Sequence, residues 1–105
     1  MKILEAAESW WVPWWEHQTR DDYWKHGSVY EDLSKIRTPV MAVSGWTDPY
    51  TNSVFRLVDN LPSDVPRLDV VGPWAHKYPH PGVPGPAIRF LQETRRWWDR
   101  HLKGK

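Results

Sequence analysis

Two residues in this chain carry groups suited to moving a proton, and they stand in matching surroundings. Asp48 closes the run Ser44-Gly45-Trp46-Thr47-Asp48, and His76 closes Gly72-Pro73-Trp74-Ala75-His76. Each follows a short apolar run, a glycine and a tryptophan. A carboxylate beside an imidazole orients the ring and stabilises its charged form, while the imidazole takes and returns the proton. Such a pair works only if the fold brings the two side chains together.

The flanking pattern supplies elements that do this. Residues 40–44 are nearly continuously apolar, as expected of a strand buried on both faces, and 68–71 read as a second strand. With their ends included, the strands are placed at about 40–45 and 67–72. Between them Val54, Leu57, Val58 and Leu61 follow the i, i+3, i+4, i+7 rule, which predicts a helix over 49–61. Pro49 suits its first position and Pro62 its stop. The sum is a βαβ unit with parallel strands and a right-handed crossover. Both strand ends then share one edge, where open α/β sheets place their sites, with Asp48 and His76 side by side. Asp48 before a proline at a helix start also reads as an N-cap, and the two roles are compatible. Taken alone, His76 reads as a loop hydrogen-bonder; the pairing with Asp48 is what points to catalysis.

The remaining elements frame this unit. Residues 72–86 form a loop constrained by glycine and proline, and Pro86 starts a last helix over 87–102. Its expected apolar stripe is Ala87, Leu91, Trp98 and Leu102, flanked by Ile88 and Phe90; Arg89, Glu93, Arg96 and Arg100 form the solvated face. Upstream, residues 1–28 read as a helical excursion. Helical propensity marks 3–8, and Pro13 is either the first residue of a short helix or a kink. Trp10, Trp11, Trp14 and Gln18 share a face, and a further short helix over 21–26 stops at Gly27. Residues 31–36 read as one helical turn.

Composition bounds the function. The 105 residues suffice for one small domain with a modest core. A net charge of +1 leaves no electrostatic footprint for nucleic acid or an anionic membrane, so neither is an expected partner. Cysteine is absent, which excludes disulfides and thiolate metal sites. No apolar run is long enough to span a bilayer and no signal peptide is recognisable, so a cytoplasmic location is expected. His76 and His80 have metal-ligand spacing for a helix, but Pro79 and Pro81 bar a helix there, so no metal and no cofactor is expected. His17, His26 and His101 read as surface or packing residues. Nine tryptophans are many for so small an interior. They permit a competing reading, a non-catalytic module or a relic whose indoles meet a partner or ligand. The nucleophile is missing: none of Ser9, Ser28, Ser34, Ser44, Ser53 and Ser63 lies in a Gly-x-Ser-x-Gly elbow. Ser44 shares a turn with Asp48 and is badly placed to attack opposite it.

These motifs resemble the Asp and His motifs of the cocaine-esterase-like, X-Pro dipeptidyl-peptidase-type α/β-hydrolases. The likeness extends to Asp22-Tyr23-Trp24-Lys25-His26-Gly27-Ser28, to the loop from Lys77 through Pro86, and to Arg96-Trp97-Trp98-Asp99. Pro49 stands where that family often has glycine. The resemblance implies part of an α/β-hydrolase fold and a serine hydrolase acting on a small ester, an amide or an X-Pro dipeptide. It makes Asp48 the triad acid and His76 the triad base. It divides the chain into 1–28, a helical cap remnant, and 29–105, the C-terminal part of the hydrolase domain. The family's serine elbow, oxyanion-hole donors and C-terminal β-sandwich find no counterpart. The expectation is therefore a fragment, either a truncated gene product or one piece of a split enzyme whose other chain carries the nucleophile half, and inactive alone.

Overall fold

A computed structural model describes residues 9–104; the helix expected over 3–8 lies outside them. The chain divides into two compact units, Met1–Asp32 and Leu33–Lys105.

In the first unit, helix α1 (Trp11–Glu16) is followed by α2 (Asp22–His26) and a 3-10 turn at Val29–Glu31. Pro13 is not the first helical residue. It lies within the first turn of α1, where backbone N–H groups have no intrahelical acceptor to lose. Trp10 stacks on Trp11 at 4.5 Å and meets Trp14 edge-on at 4.8 Å. Gln18 does not extend that helical face; its amide donates to the carbonyls of Trp14 and Trp15, each at 3.0 Å, and closes the end of α1. Gly27 follows α2 as expected.

The second unit holds a 3-10 turn (Leu33–Lys35), strand β1 (Val40–Gly45), helix α3 (Thr51–Asn60), strand β2 (Arg67–Gly72) and helix α4 (Phe90–Lys103). The turn expected over 31–36 is the 3-10 turn at Leu33–Lys35. The strands pair in parallel, with Val40 opposite Arg67 and Gly45 opposite Gly72. This is mixed α/β architecture, and α3 packs on both strands. The buried core is Leu33, Ala42, Leu61, Val65, Trp74 and Phe90. β1 is only half-buried apart from Ala42 and Gly45. Its apolar run is therefore not sealed on both faces, and among the described residues it has one strand neighbour.

α3 starts later than its pattern predicts. The Asp48 carboxylate accepts the Tyr50 N–H at 2.8 Å, and this Asx turn holds Pro49 and Tyr50 outside the helix. The other end is closed by Arg67. Its Nη1 donates to the Val58 carbonyl at 2.7 Å and its Nε to that of Val65 at 3.2 Å, with Nη2 on Pro62. A cation on the last carbonyls of a helix both satisfies them and complements the dipole.

α4 also starts late. Ile88 N–H donates to the Pro79 carbonyl at 3.1 Å and Phe90 N–H to that of Ile88 at 2.8 Å, which hold 87–89 in the loop. The stripe it buries differs from the expected one. Phe90 is buried and Trp97 and His101 are half-buried, while Leu91, Trp98 and Leu102 are exposed. A helix with aromatic groups on two sides offers two faces, and Phe90 wins because it stacks beside His80 and Tyr78.

Candidate active site

The site stands where β1 and β2 end. Gly45 and Gly72 are register partners at those ends, and Trp74 explains both. A Cβ on Gly45 would lie 1.7 Å from the Trp74 carbonyl oxygen, and one on Gly72 would lie 2.5 Å from the Trp74 ring. Glycine therefore lets the indole fold back under the strand ends, where it is buried and donates Nε1–H to the Pro86 carbonyl at 2.9 Å. Trp46 N–H donates to Gly72 O at 2.7 Å and Thr47 N–H to Trp74 O at 3.3 Å, which carries the stitching past the strands. Asp48 and His76 leave this stitched edge next to each other.

An oxygen of Asp48, Oδ2, lies 3.0 Å from His76 Nδ1. The other, Oδ1, holds the Tyr50 amide. The sequence placed Asp48 between two readings, an N-cap and an imidazole partner. The carboxylate divides itself, one oxygen for the backbone at the head of α3 and one for the ring; the N-cap position proper falls to Tyr50. Thr51 fixes the same turn, its hydroxyl donating to the Asp48 carbonyl at 2.7 Å. The Asp48 side chain is 10% exposed and that of His76 76%. The Tyr50 amide, with the His76 ring second to it, holds the Asp48 carboxyl below the ordinary carboxylate range against the opposing effect of partial burial. An ionised carboxylate only accepts, so the bonded Nδ1 carries the proton. The neutral ring then has its lone pair on Nε2, the state of a general base.

The pair borders an open groove of about 490 Å³, lined also by Ser44, Lys77, Tyr78 and His80. Among the described residues Ser44 makes no hydrogen bond to His76. The His80 ring stacks 5.9 Å from Tyr78 and 6.4 Å from Phe90. No group of three His, Asp or Glu side chains suited to a metal occurs among the described residues. Nor is any of their helices long and apolar enough to cross a membrane. His17 and His101 take packing roles, as expected: His17 binds Asp21 and His101 lies against Trp97 at 4.2 Å. Sequence reading did not single out Tyr50. Its signal was present in Asp48-Pro49-Tyr50, an aspartate two residues before an amide it can bind.

The histidine–aspartate pair thus stands at the shared end of two parallel strands, and comparison with known proteins gives the family. The chain belongs to the X-Pro dipeptidyl-peptidase family (S15), whose pattern matches residues 1–78 and so includes both Asp48 and His76. It is also 29% identical over 112 residues to the cocaine esterase of Rhodococcus sp. (strain MB1 Bresler). That alignment covers 90% of this chain and 19% of the relative, so the chain spans less than a fifth of that protein's length. These are peptidases and esterases, and the chain is a member of a hydrolase family.

Proposed function

We propose that this chain supplies the acid and the base of a serine-hydrolase triad, Asp48 as the orienting carboxylate and His76 as the proton shuttle. The observation that carries the reading is the 3.0 Å contact between Asp48 Oδ2 and His76 Nδ1 at the ends of paired parallel strands. In this reading residues 29–105 are the C-terminal part of an α/β-hydrolase domain and 1–28 the end of its helical cap. The reaction is acyl transfer to water. A serine hydroxyl attacks the carbonyl of an ester, an amide or an X-Pro dipeptide while His76 Nε2 takes its proton. His76 then returns the proton to the leaving group as the acyl group passes to the serine; water, deprotonated in its turn by His76, displaces the acyl group as the acid product, and the proton goes back to the serine oxygen. The serine comes from a partner segment that bears a Gly-x-Ser-x-Gly elbow, so the 105 residues are inactive alone. The enzyme works on small molecules in the cytoplasm and not on nucleic acid or membranes.

Co-expression with an elbow-bearing chain of the same family tests this. Hydrolysis of p-nitrophenyl esters or X-Pro anilides is expected only with both chains present, and is expected to vanish in His76→Ala. Labelling of the isolated chain by a fluorophosphonate, or full activity of the His76→Ala complex, would defeat it. The exposure of Trp10, Trp11, Trp14 and Trp15 favours a second reading, a docking module without chemistry. That reading gains if a complex forms and no substrate is turned over.

A further inference from the structure

His76 is held in a way that leaves a problem. Its backbone is fixed, since Ala75 N–H donates to the Val83 carbonyl at 2.9 Å and Lys77 N–H to that of Ala75 at 2.6 Å. Its ring is mostly exposed and, among the described residues, has a single hydrogen bond, the one to Asp48. A lone bond at a wet site competes with water, and the ring is free to turn about χ2 away from the carboxylate. A base of a triad must hold a chosen orientation.

The geometry points to Tyr50 as the positioning residue for His76: its ring is the wall that keeps the imidazole against Asp48. The two rings are 5.6 Å apart at 64°, an edge-to-face contact. That arrangement is attractive for aromatic rings. Tyr50 can serve as a wall because its backbone is anchored on both sides. Its N–H is bound by Asp48 Oδ1 at 2.8 Å, and its carbonyl accepts Ser53 N–H at 2.9 Å in the first turn of α3. One residue thus acts on both members of the pair, through its amide on the carboxylate and through its ring on the imidazole. The amide belongs to any residue at that position, so removing the ring leaves the Asp48 turn intact. Tyr50 is exposed, and no packing in the described core requires its side chain.

This inference rests on the triad reading, and its test separates the two. The Nδ1–H proton and the nitrogen shifts of His76 are followed by NMR in the full chain, with the Trp74 indole N–H as the monitor of fold. In wild type the Nδ1–H signal is expected to be present and protected from water. In Tyr50→Ala, and in Tyr50→Leu, which keeps bulk without an aromatic face, the ratio of Asp48-bonded to released ring should fall about fivefold. Tyr50→Phe should restore the wild-type signal. Asp48→Asn should abolish it. If Asp48→Asn removes the signal while the alanine and leucine variants leave it at wild-type strength, the role of Tyr50 is overturned and the pair stands. If Tyr50→Phe behaves like Tyr50→Ala, the ring is not the agent and the inference likewise falls. If Asp48→Asn changes nothing, the triad reading itself has failed.

Discussion

Among the described residues a histidine is joined to an aspartate twice, once in each compact unit. In the first unit His17 Nδ1 lies 2.5 Å from Asp21 Oδ2; in the second His76 Nδ1 lies 3.0 Å from Asp48 Oδ2. The local design is the same. Each aspartate accepts the N–H of a tyrosine two residues on, Tyr23 or Tyr50, and that tyrosine's ring meets the histidine. Both carboxyls are held below the ordinary range. For Asp21 the His17 hydrogen bond acts first, and for Asp48 the Tyr50 amide does.

What differs is the origin of the histidine and its access to solvent. His17 is four residues from its partner, its ring lies flat on Tyr23 at 7°, and the side chains are 34% and 39% exposed. That pair closes the corner between α1 and α2. His76 arrives from another strand, stands mostly in solvent at the lip of a groove, and meets Tyr50 edge-on, while its aspartate is nearly covered. A fixed acid behind an accessible base is what proton transfer needs. The same residue types pinned flat in a corner provide structure instead.

The largest expected effect breaks the symmetry between the pairs. In a complex with an elbow-bearing chain, Asp48→Asn should lower kcat about 10⁴-fold by disturbing the tautomer and orientation of His76. Asp21→Asn should leave turnover unchanged. Steady-state kinetics on both variants checks this, and equal losses would abolish the distinction.

A second effect concerns how each pair is built. Gly45→Val sets a side chain against the Trp74 backbone, so urea unfolding of the Leu33–Lys105 unit should lose about 3 kcal/mol. The His76–Asp48 contact should separate while His17 and Asp21 keep their resonances. A wild-type midpoint would mean that Trp74 does not wedge the strand ends. Arg67→Met is expected to cost about 2 kcal/mol, because three carbonyls beyond the end of α3 and within it lose a charged donor. An unchanged melt would assign that closure to water.

The smallest effect is shared by the pairs. Because both carboxyls titrate lower in the fold than in the unfolded chain, the unfolded chain binds more protons as the pH falls. Each pair therefore contributes stability above the unfolded carboxylate value of about 3.9, and loses it as pH drops through the lower folded value. Acid unfolding followed by circular dichroism should show a shallower pH dependence in Asp48→Asn and in Asp21→Asn. A slope equal to wild type in either would remove that carboxylate from the account.

Much of the second unit could be read from sequence because its signals are local. Two apolar runs around a 3.6-residue period gave the parallel pair and α3, and Asp48 and His76 followed from their places after glycine and tryptophan. The start of α3 was misplaced because Asp48 spends an oxygen on the Tyr50 amide, which keeps Pro49 and Tyr50 in the turn. The need for Gly45 was invisible, since the atom that forbids a Cβ belongs to Trp74 in another loop. The face of α4 was misjudged for a related reason. Leu91, Trp98 and Leu102 form the stronger apolar stripe, yet Phe90 has ring partners in the loop.

The central claim, that Asp48 holds His76 as a base, is tested most directly by the tautomer of His76. Nitrogen-15 chemical shifts of the selectively labelled ring, measured at a pH where it is neutral, report which nitrogen bears the proton. The expected result is a proton on Nδ1, a bare Nε2, and loss of that preference in Asp48→Asn. A ring protonated on Nε2 would contradict it, because such an imidazole has no Nε2 lone pair to receive a proton, and so would one indifferent to Asp48→Asn, because Asp48 would then not hold the tautomer.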